Sequence, residues 1–366
     1  VIKKVKLTYD KYEISLLPFQ KFDFIPGQYI QIRLPEDFVE EHYKRCGEQI
    51  RCFCKETGKE FTPYTPGVDL YRAYSIAATR KDILKFITRT APIDPRVPIE
   101  EGGVPCMGPQ FIKDYIQDET IWNFWIGDRI RFTGPYGRFF LKKENHKAVF
   151  VAGGAGLAPI QALLEQWFSE GRNDEIIFFL GERRFQDIPI QYILKWLHWQ
   201  KKHTHFQFIP VLSGAFKGDN PAELNDGDKE CFHNASEECK QNIVEHGLID
   251  ENGEKWLGRA GFIGPLLTSY LSYAPDLTFY LCGPAPMTVT VIDSAANNLQ
   301  LKKENVLFDD FTGTLTPSLD LIYLKLEIIK QMKKIHLHLT DRNREKLSQI
   351  LIMKLILRDK IEESYT

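Results

Sequence analysis

Three short stretches hold residue types that could act together on one ligand. At 72–75 the chain reads Arg72, Ala73, Tyr74, Ser75: a guanidinium that can fork onto phosphate, a flat ring and a hydroxyl. At 148–160 it reads "AVFVAGGAGLAPI", an apolar run broken by Gly153, Gly154 and Gly156 before a helical pattern. Glycines let backbone approach a pyrophosphate, and the following helix start offers unpaired N–H groups with a positive dipole end. At 280–287 it reads "YLCGPAPM", which sets Cys282, Gly283 and Pro284 at the end of a strand and Met287 just beyond. Each stretch has a plain structural reading: an edge strand, a tight turn, a buried thiol. Their order along one chain argues for a flat, phosphorylated ligand handled by two modules.

The elements around them fit that division. From 1 to 146 the chain reads as short strands parted by Pro and Gly: "KKVKLTYD", "YEISLLPF", "YIQIRLP", "LKFITRTA" and "DRIRFTGPYGRFFL". That pattern predicts an antiparallel β-barrel. A long polar insert at about 36–70 interrupts it, and such loops are often functional. From 147 to 313 strands alternate with helical patterns ("AVFVAGG", "EIIFFLGERR", "FQFIPVLSG", "LTFYLCG"). Alternation of this kind predicts an α/β doubly wound parallel sheet with ligands at the carboxyl ends of its strands. Residues 314–366 form a basic, partly amphipathic tail, read as an appendage in preference to a docking helix.

In this setting the first stretch reads as a flavin seat. Arg72 would bond the phosphates, Tyr74 would lie along the ring or ribityl chain, and Ser75 would donate near N5. "RAYS", "GPYGRFF", "GGAGLAPI" and "CGPAPM" in that order resemble the ferredoxin–NADP reductase superfamily. The chain is more closely similar to the family of F subunits of sodium-translocating NADH:quinone reductases. That likeness rests on "PGQYIQIRLP" followed by a long insert before "RAYS", on "TRTAPIDPRVP", and on the ending "LFDDFTG". It covers about 1–313.

The resemblance implies an FAD domain followed by an NADH domain. It implies that Arg72, Ala73, Tyr74 and Ser75 hold FAD, flanked by Arg89 and Thr90, and that Phe311 covers the flavin until NADH arrives. Gly153, Gly154, Gly156, Cys282, Gly283, Pro284 and Met287 would form the NADH side, with Ser75, Cys282 and Phe311 nearest the reacting atoms. Gly181 and Arg183, in "GERRF", fall where the superfamily meets the adenosine ribose. The chain departs from the family at the flavin pyrophosphate turn, where it offers Gly108, Pro109 and Gln110. Intact members of the family also carry a membrane helix and a [2Fe–2S] domain ahead of the barrel; those cysteines are absent from this chain. The implied function is electron input: NADH reduces FAD, and electrons pass singly to an iron–sulfur acceptor and quinone. The implied place is the cytoplasmic face of the inner membrane, reached through an N-terminal segment or other subunits, with this chain itself soluble.

Two other functions compete: a stand-alone NAD(P)H reductase for a ferredoxin or oxygenase, and a non-catalytic binding module of the same fold. A net charge of -2 gives no case for nucleic acid. Seven cysteines with irregular spacing do not form a disulfide framework. Cys46, Cys52 and Cys54 lack zinc or plant-type iron–sulfur spacing, so no metal site is expected. No apolar run approaches the ~18 residues that suggest a membrane span.

Overall fold

The computed structural model describes residues 1–8, 10–33, 71–79, 82–89, 124–144, 147–214, 223–273, 275–310 and 315–336. By backbone contacts the chain divides into two compact units. The first is Val1–Ile263 with Leu277–Pro284 and Leu307–Asp309; the second is Gly264–Asp276 with Ala285–Val306 and Asp310–Thr366.

Six strands of the first unit make the barrel: β1 (Lys3–Lys6), β2 (Lys11–Leu16), β3 (Tyr29–Arg33), β4 (Tyr71–Ser75), β5 (Leu84–Arg89) and β6 (Arg131–Tyr136). They form two antiparallel sheets, ordered β1-β2-β5 and β4-β3-β6. The two are joined at one corner, where Ile76 bridges Phe86 and its neighbour Ala77 donates its N–H to Lys85 O. The inner face is apolar: Ile14, Leu16, Ile30, Ile32, Tyr74, Leu84 and Phe86 are buried together. Strand alternation puts Lys11, Glu13 and Ser15 on the opposite face of β2, yet these too are buried, at 0%, 8% and 2% exposure. That face therefore meets protein, with Lys11 reaching Glu182 at the end of a strand of the parallel sheet and Glu13 reaching Tyr192 on a helix that follows it.

The parallel sheet begins with β7 (Ala148–Gly153), followed by β8 (Ile176–Glu182), β9 (Phe206–Leu212), β10 (Arg259–Ala260), β11 (Thr278–Cys282) and β12 (Val306–Asp309). Their order is β10-β9-β8-β7-β11-β12, with β10·β9, β9·β8, β8·β7 and β7·β11 parallel. β7 and β11 are buried at every position, as expected of strands covered on both faces. After β7 comes α1 (Leu157–Ser169), which buries Leu157, Ile160, Leu164 and Trp167 along one stripe. The Trp167 ring stands edge-on to Phe150 of β7 at 5.8 Å, and Phe150 stacks on Tyr280 of β11 at 4.9 Å. Truncating such a fully buried tryptophan costs about 3–5 kcal/mol. After β8 comes α2 (Ile190–Lys202), whose Trp196 meets Phe178 edge-on at 5.1 Å. Two short helices, α3 (Asp226–His233) and α4 (Glu237–Glu245), are capped by Asn225 and Ser236, which accept from the N–H groups of Asp228 and Cys239. α5 (Ile263–Tyr270) starts at the edge of this unit.

The second unit contains the rest of α5, then α6 (Ala285–Asn298) and α7 (Leu315–His336). Ser294 on α6 donates to Gly264 O at 2.7 Å. α7 packs along α6 and buries Leu319 and Ile322, while the Tyr323 hydroxyl donates to Leu301 O at 2.8 Å. The first part of the tail is thus a docked helix, against the appendage expected. The physical reason is the spacing of Leu319 and Ile322, which gives one helix face enough apolar area to hold it. No helix among the described residues is long and apolar enough to cross a membrane.

Candidate functional site

β7 and β11 are neighbours in the sheet although β8 follows β7 in sequence. The chain therefore leaves these two strands in opposite lateral directions, which opens a crevice at their carboxyl ends. Gly153 ends β7 opposite Gly181 of β8, and Cys282 ends β11 opposite Ala152. The turn Gly154–Gly156 then leads into α1, whose start has no side-chain cap. Gly154 has φ +55°, in the left-handed region where a side chain is disfavoured. Gly156 is ordinary in backbone angle but not in space: a Cβ there would sit 2.1 Å from Cys282 O and 2.5 Å from Gly283 N. The glycine turn and the Cys282–Pro284 loop thus touch through bare backbone, which fixes them as one surface.

The barrel supplies the other wall. Arg89, at the end of β5, donates from Nε to the buried Asp10 carboxylate at 2.6 Å. One of its terminal nitrogens lies 3.1 Å from the place a Gly154 Cβ would take. Burial disfavours the charged guanidinium, but Asp10, with Glu182 and Asp187 farther off, outweighs it and raises the pKa of Arg89. Lys11 is completely buried beneath this point, donating to Glu182 Oε1 at 3.2 Å and to Asp187 O at 2.6 Å. The same Glu182 oxygen accepts the Gly154 N–H at 3.2 Å. Burial raises the Glu182 pKa and Asp187 adds to that; Lys11 and Arg89 pull it back. Asp187 is itself pinned, accepting from the Arg184 N–H at 3.1 Å.

Ser75, at the end of β4, donates to Asp309 Oδ2 of β12 at 3.0 Å. That bond ties the barrel to the last strand of the parallel sheet. The motif "RAYS" divides between the two faces of β4, Arg72 with Tyr74 and Ala73 with Ser75, because successive strand residues face opposite ways. Tyr74 is buried in the barrel core with its ring 4.9 Å from Phe86, Arg72 is half-buried, and Ala73 is exposed. Cys282 is fully buried and belongs to the apolar core. Arg183 stands outside β8 with its side chain 65% exposed, its Nε 3.8 Å from Asp187. Met287 lies in the second unit. Thr90, Gly108, Pro109, Gln110, Phe311 and the 36–70 insert lie outside the described residues.

The structure therefore brings together Arg89, Gly153, Gly154, Gly156, Cys282 and Gly283. It adds Asp10, Lys11, Glu182 and Asp309, which the sequence reading missed. Asp309 stood inside the quoted ending "LFDDFTG"; the other three had no local signal. The turn fits a dinucleotide: it lacks Cβ atoms where backbone must be approached, its helix start is uncapped, and a guanidinium is held beside it. On β4, Ala73 and Ser75 share one face, and Arg72 shares the other with Tyr74.

Residues 150–226 match the family model of the oxidoreductase NAD-binding domain. The chain is 29% identical over 307 residues to the F subunit of the Na(+)-translocating NADH-quinone reductase of Psychrobacter arcticus, covering 80% of this chain and 61% of that protein. Proteins of the same name from Marinomonas and Pseudomonas aeruginosa match at 28% and 27%. The chain thus spans about three-fifths of the length of these curated relatives. The likeness to the family of F subunits is borne out by these matches. Among solved structures, the cytochrome P450 reductase GcoB of Amycolatopsis superposes with a TM-score of 0.53 at 18% identity, covering 85% of this chain and 68% of that one. The flavohem-like FAD/NAD binding domain of nitric oxide dioxygenase from Vibrio cholerae superposes at 0.52 and 15% identity, covering 85% and 96%. These share the fold: an antiparallel barrel followed by a parallel α/β sheet.

Proposed function

We propose that this chain is the FAD- and NADH-binding part of an electron-input subunit, one that passes electrons singly to an iron–sulfur acceptor and on to quinone in a sodium-pumping membrane complex. The observation that carries the reading is the convergence at one crevice of the Gly153–Gly156 turn, the Cys282–Gly283 backbone and the barrel residue Arg89. In this reading residues 1–146 hold FAD and 147–313 hold NADH. When bound, the two cofactors supply the hydride chemistry between nicotinamide C4 and flavin N5.

The chain's own residues bind, orient and exclude water. The glycine turn and the uncapped start of α1 take the dinucleotide pyrophosphate, and Arg89, aimed by Asp10, adds a fixed positive charge beside it. Gly283 and Pro284 line the nicotinamide end, where the absence of bulk lets a flat ring lie against backbone. Cys282 supports that loop from below. Ser75 donates its hydroxyl hydrogen bond to Asp309 and redirects it to a ring nitrogen when the flavin is bound. Arg72 and Ala73 seat the flavin, with Thr90, Gly108 and Gln110 as further contacts, and Phe311 shields the ring face. Positioning of this kind accounts for much of the rate in a reaction that needs no protein acid or base. Attachment to the membrane is through other subunits or the family's N-terminal segment.

An absorption spectrum of the purified chain, before and after anaerobic NADH, tests this reading. A flavin spectrum bleached by NADH faster than by NADPH is expected. A colourless protein that cannot be reconstituted with FAD overturns it. The exposed Arg183 at the end of β8 favours a second reading, a reductase that takes NADPH for a separate acceptor; preferential bleaching by NADPH selects it.

A further inference from the structure

The most unusual group near the crevice is one that does not face it. Lys11 has no exposed surface, a state in which a lone ammonium is heavily disfavoured. It reaches from the barrel strand β2 to Glu182 at the end of β8 and to the carbonyl of Asp187. Asp10 stands 3.9 Å away. The Glu182 oxygen that accepts from Lys11 is also the one that accepts the Gly154 N–H. Two features make this more than a domain contact. First, Gly154 is the left-handed residue of the dinucleotide turn, so its amide direction sets the path of that turn. Second, each carboxylate around Lys11 has its own nearest cation: Arg89 bonds Asp10, the exposed Arg183 stands by Asp187, and Lys11 itself bonds Glu182. Loss of Lys11 removes the cation hydrogen-bonded to Glu182 and leaves only the more distant Arg89 to offset that carboxylate, beside the place an anionic ligand must enter.

We propose that Lys11 is a positioning residue for dinucleotide binding, acting through Glu182: it neutralises that carboxylate and holds it where it fixes the Gly154 amide. The proposal rests on the reading of Gly153–Gly156 as the dinucleotide turn. Lys11 touches no ligand; it sets the turn's shape and removes a repulsive charge. Replacing the partner carboxylate by an amide should then make Lys11 dispensable. A carbonyl oxygen at 182 still accepts the Gly154 N–H and needs no counter-ion.

The test uses ADP-ribose as the probe, titrated calorimetrically into the full chain, since its binding does not require flavin turnover. K11M is expected to weaken ADP-ribose at least tenfold, and K11M/E182Q to return to within about threefold of the parent. A purely structural role for Lys11 would leave the double variant as weak as the single one, so rescue is the decisive readout. Thermal melting confirms folding of each variant. If K11M does not fold, K11M/E182Q alone decides. The proposal is overturned by parental affinity in K11M, or by a double variant that fails to fold or binds ten times more weakly than the parent. If the parent itself binds neither ADP-ribose nor NADH, it is the dinucleotide reading that fails.

Discussion

Gly156→Ala isolates the contact on which the crevice depends. The backbone at Gly156 is right-handed helical, with φ -63° and ψ -9°, so alanine meets no dihedral penalty there. The whole effect is steric. The added methyl would lie 2.1 Å from Cys282 O, 2.3 Å from Cys282 C and 2.5 Å from Gly283 N, where ordinary contact begins at 3.4 Å. All three atoms are backbone and cannot rotate aside. The glycine turn and the Cys282–Gly283 loop must separate by more than an ångström, a strain that costs about 3 kcal/mol, the upper end for overpacking. On the proposed function, which makes these two loops the walls of the dinucleotide crevice, ADP-ribose affinity should fall together with stability. Gly171→Ala is the control. Its φ is +68° with nothing within 4 Å of the added methyl, so it costs about 1 kcal/mol in backbone strain and leaves binding alone. Urea unfolding of both variants, with ADP-ribose titration, separates the two effects. If Gly156→Ala unfolds with the parent and binds as well, the two loops do not form one surface and the steric reasoning is refuted.

Three further outcomes are expected. Ser75→Ala removes a hydrogen bond of about 1 kcal/mol and should slow flavin bleaching by NADH about fivefold at unchanged FAD content; stopped-flow absorbance reads both, and an unchanged rate removes Ser75 from the reacting centre. Burial holds the Glu182 pKa above its ordinary 4.5, so its contribution to stability is full below that value and fades as pH rises through the raised folded pKa. The unfolding free energy of the parent relative to E182Q should therefore decline as pH rises above 4.5 towards the raised folded pKa, and a flat difference counts against the buried carboxylate. Burial, helped by Asp228, pushes the Cys231 thiol up to about 11, and burial with Glu238 does the same for Cys239, while Cys282 has no exposed surface. At pH 8 about one in a thousand of the first two thiols is ionised; peptide mass spectrometry should find all three alkylated far more slowly than in the urea-unfolded chain, and equal rates would refute the burial of Cys239 and Cys282 and the partial burial of Cys231.

The parts of this protein that could be read in the sequence are those whose signal is local. β7 is continuously apolar because both its faces are covered, and the run "AVFVA" states that without reference to any other residue. The glycines after it announce a turn where backbone must be approached, and "CGP" closes a second strand in the same manner. Chain order then sufficed for a barrel followed by a parallel sheet. Tertiary structure decided what faces what. In "KYEISL" the alternation of charged and apolar residues looks the same whether the charged face meets water or another domain. Only β8 and α2 lying against β2 turn Lys11 and Glu13 into buried partners of Glu182 and Tyr192. The separation of Ser75 from Tyr74 likewise follows from the register of β4, and its pairing with Asp309, 234 residues on, from the seat of β12 beside β11. A hydrogen bond or ion pair across such a distance leaves no periodicity in the chain, because it depends on two folded surfaces meeting and not on the spacing of residues along either one.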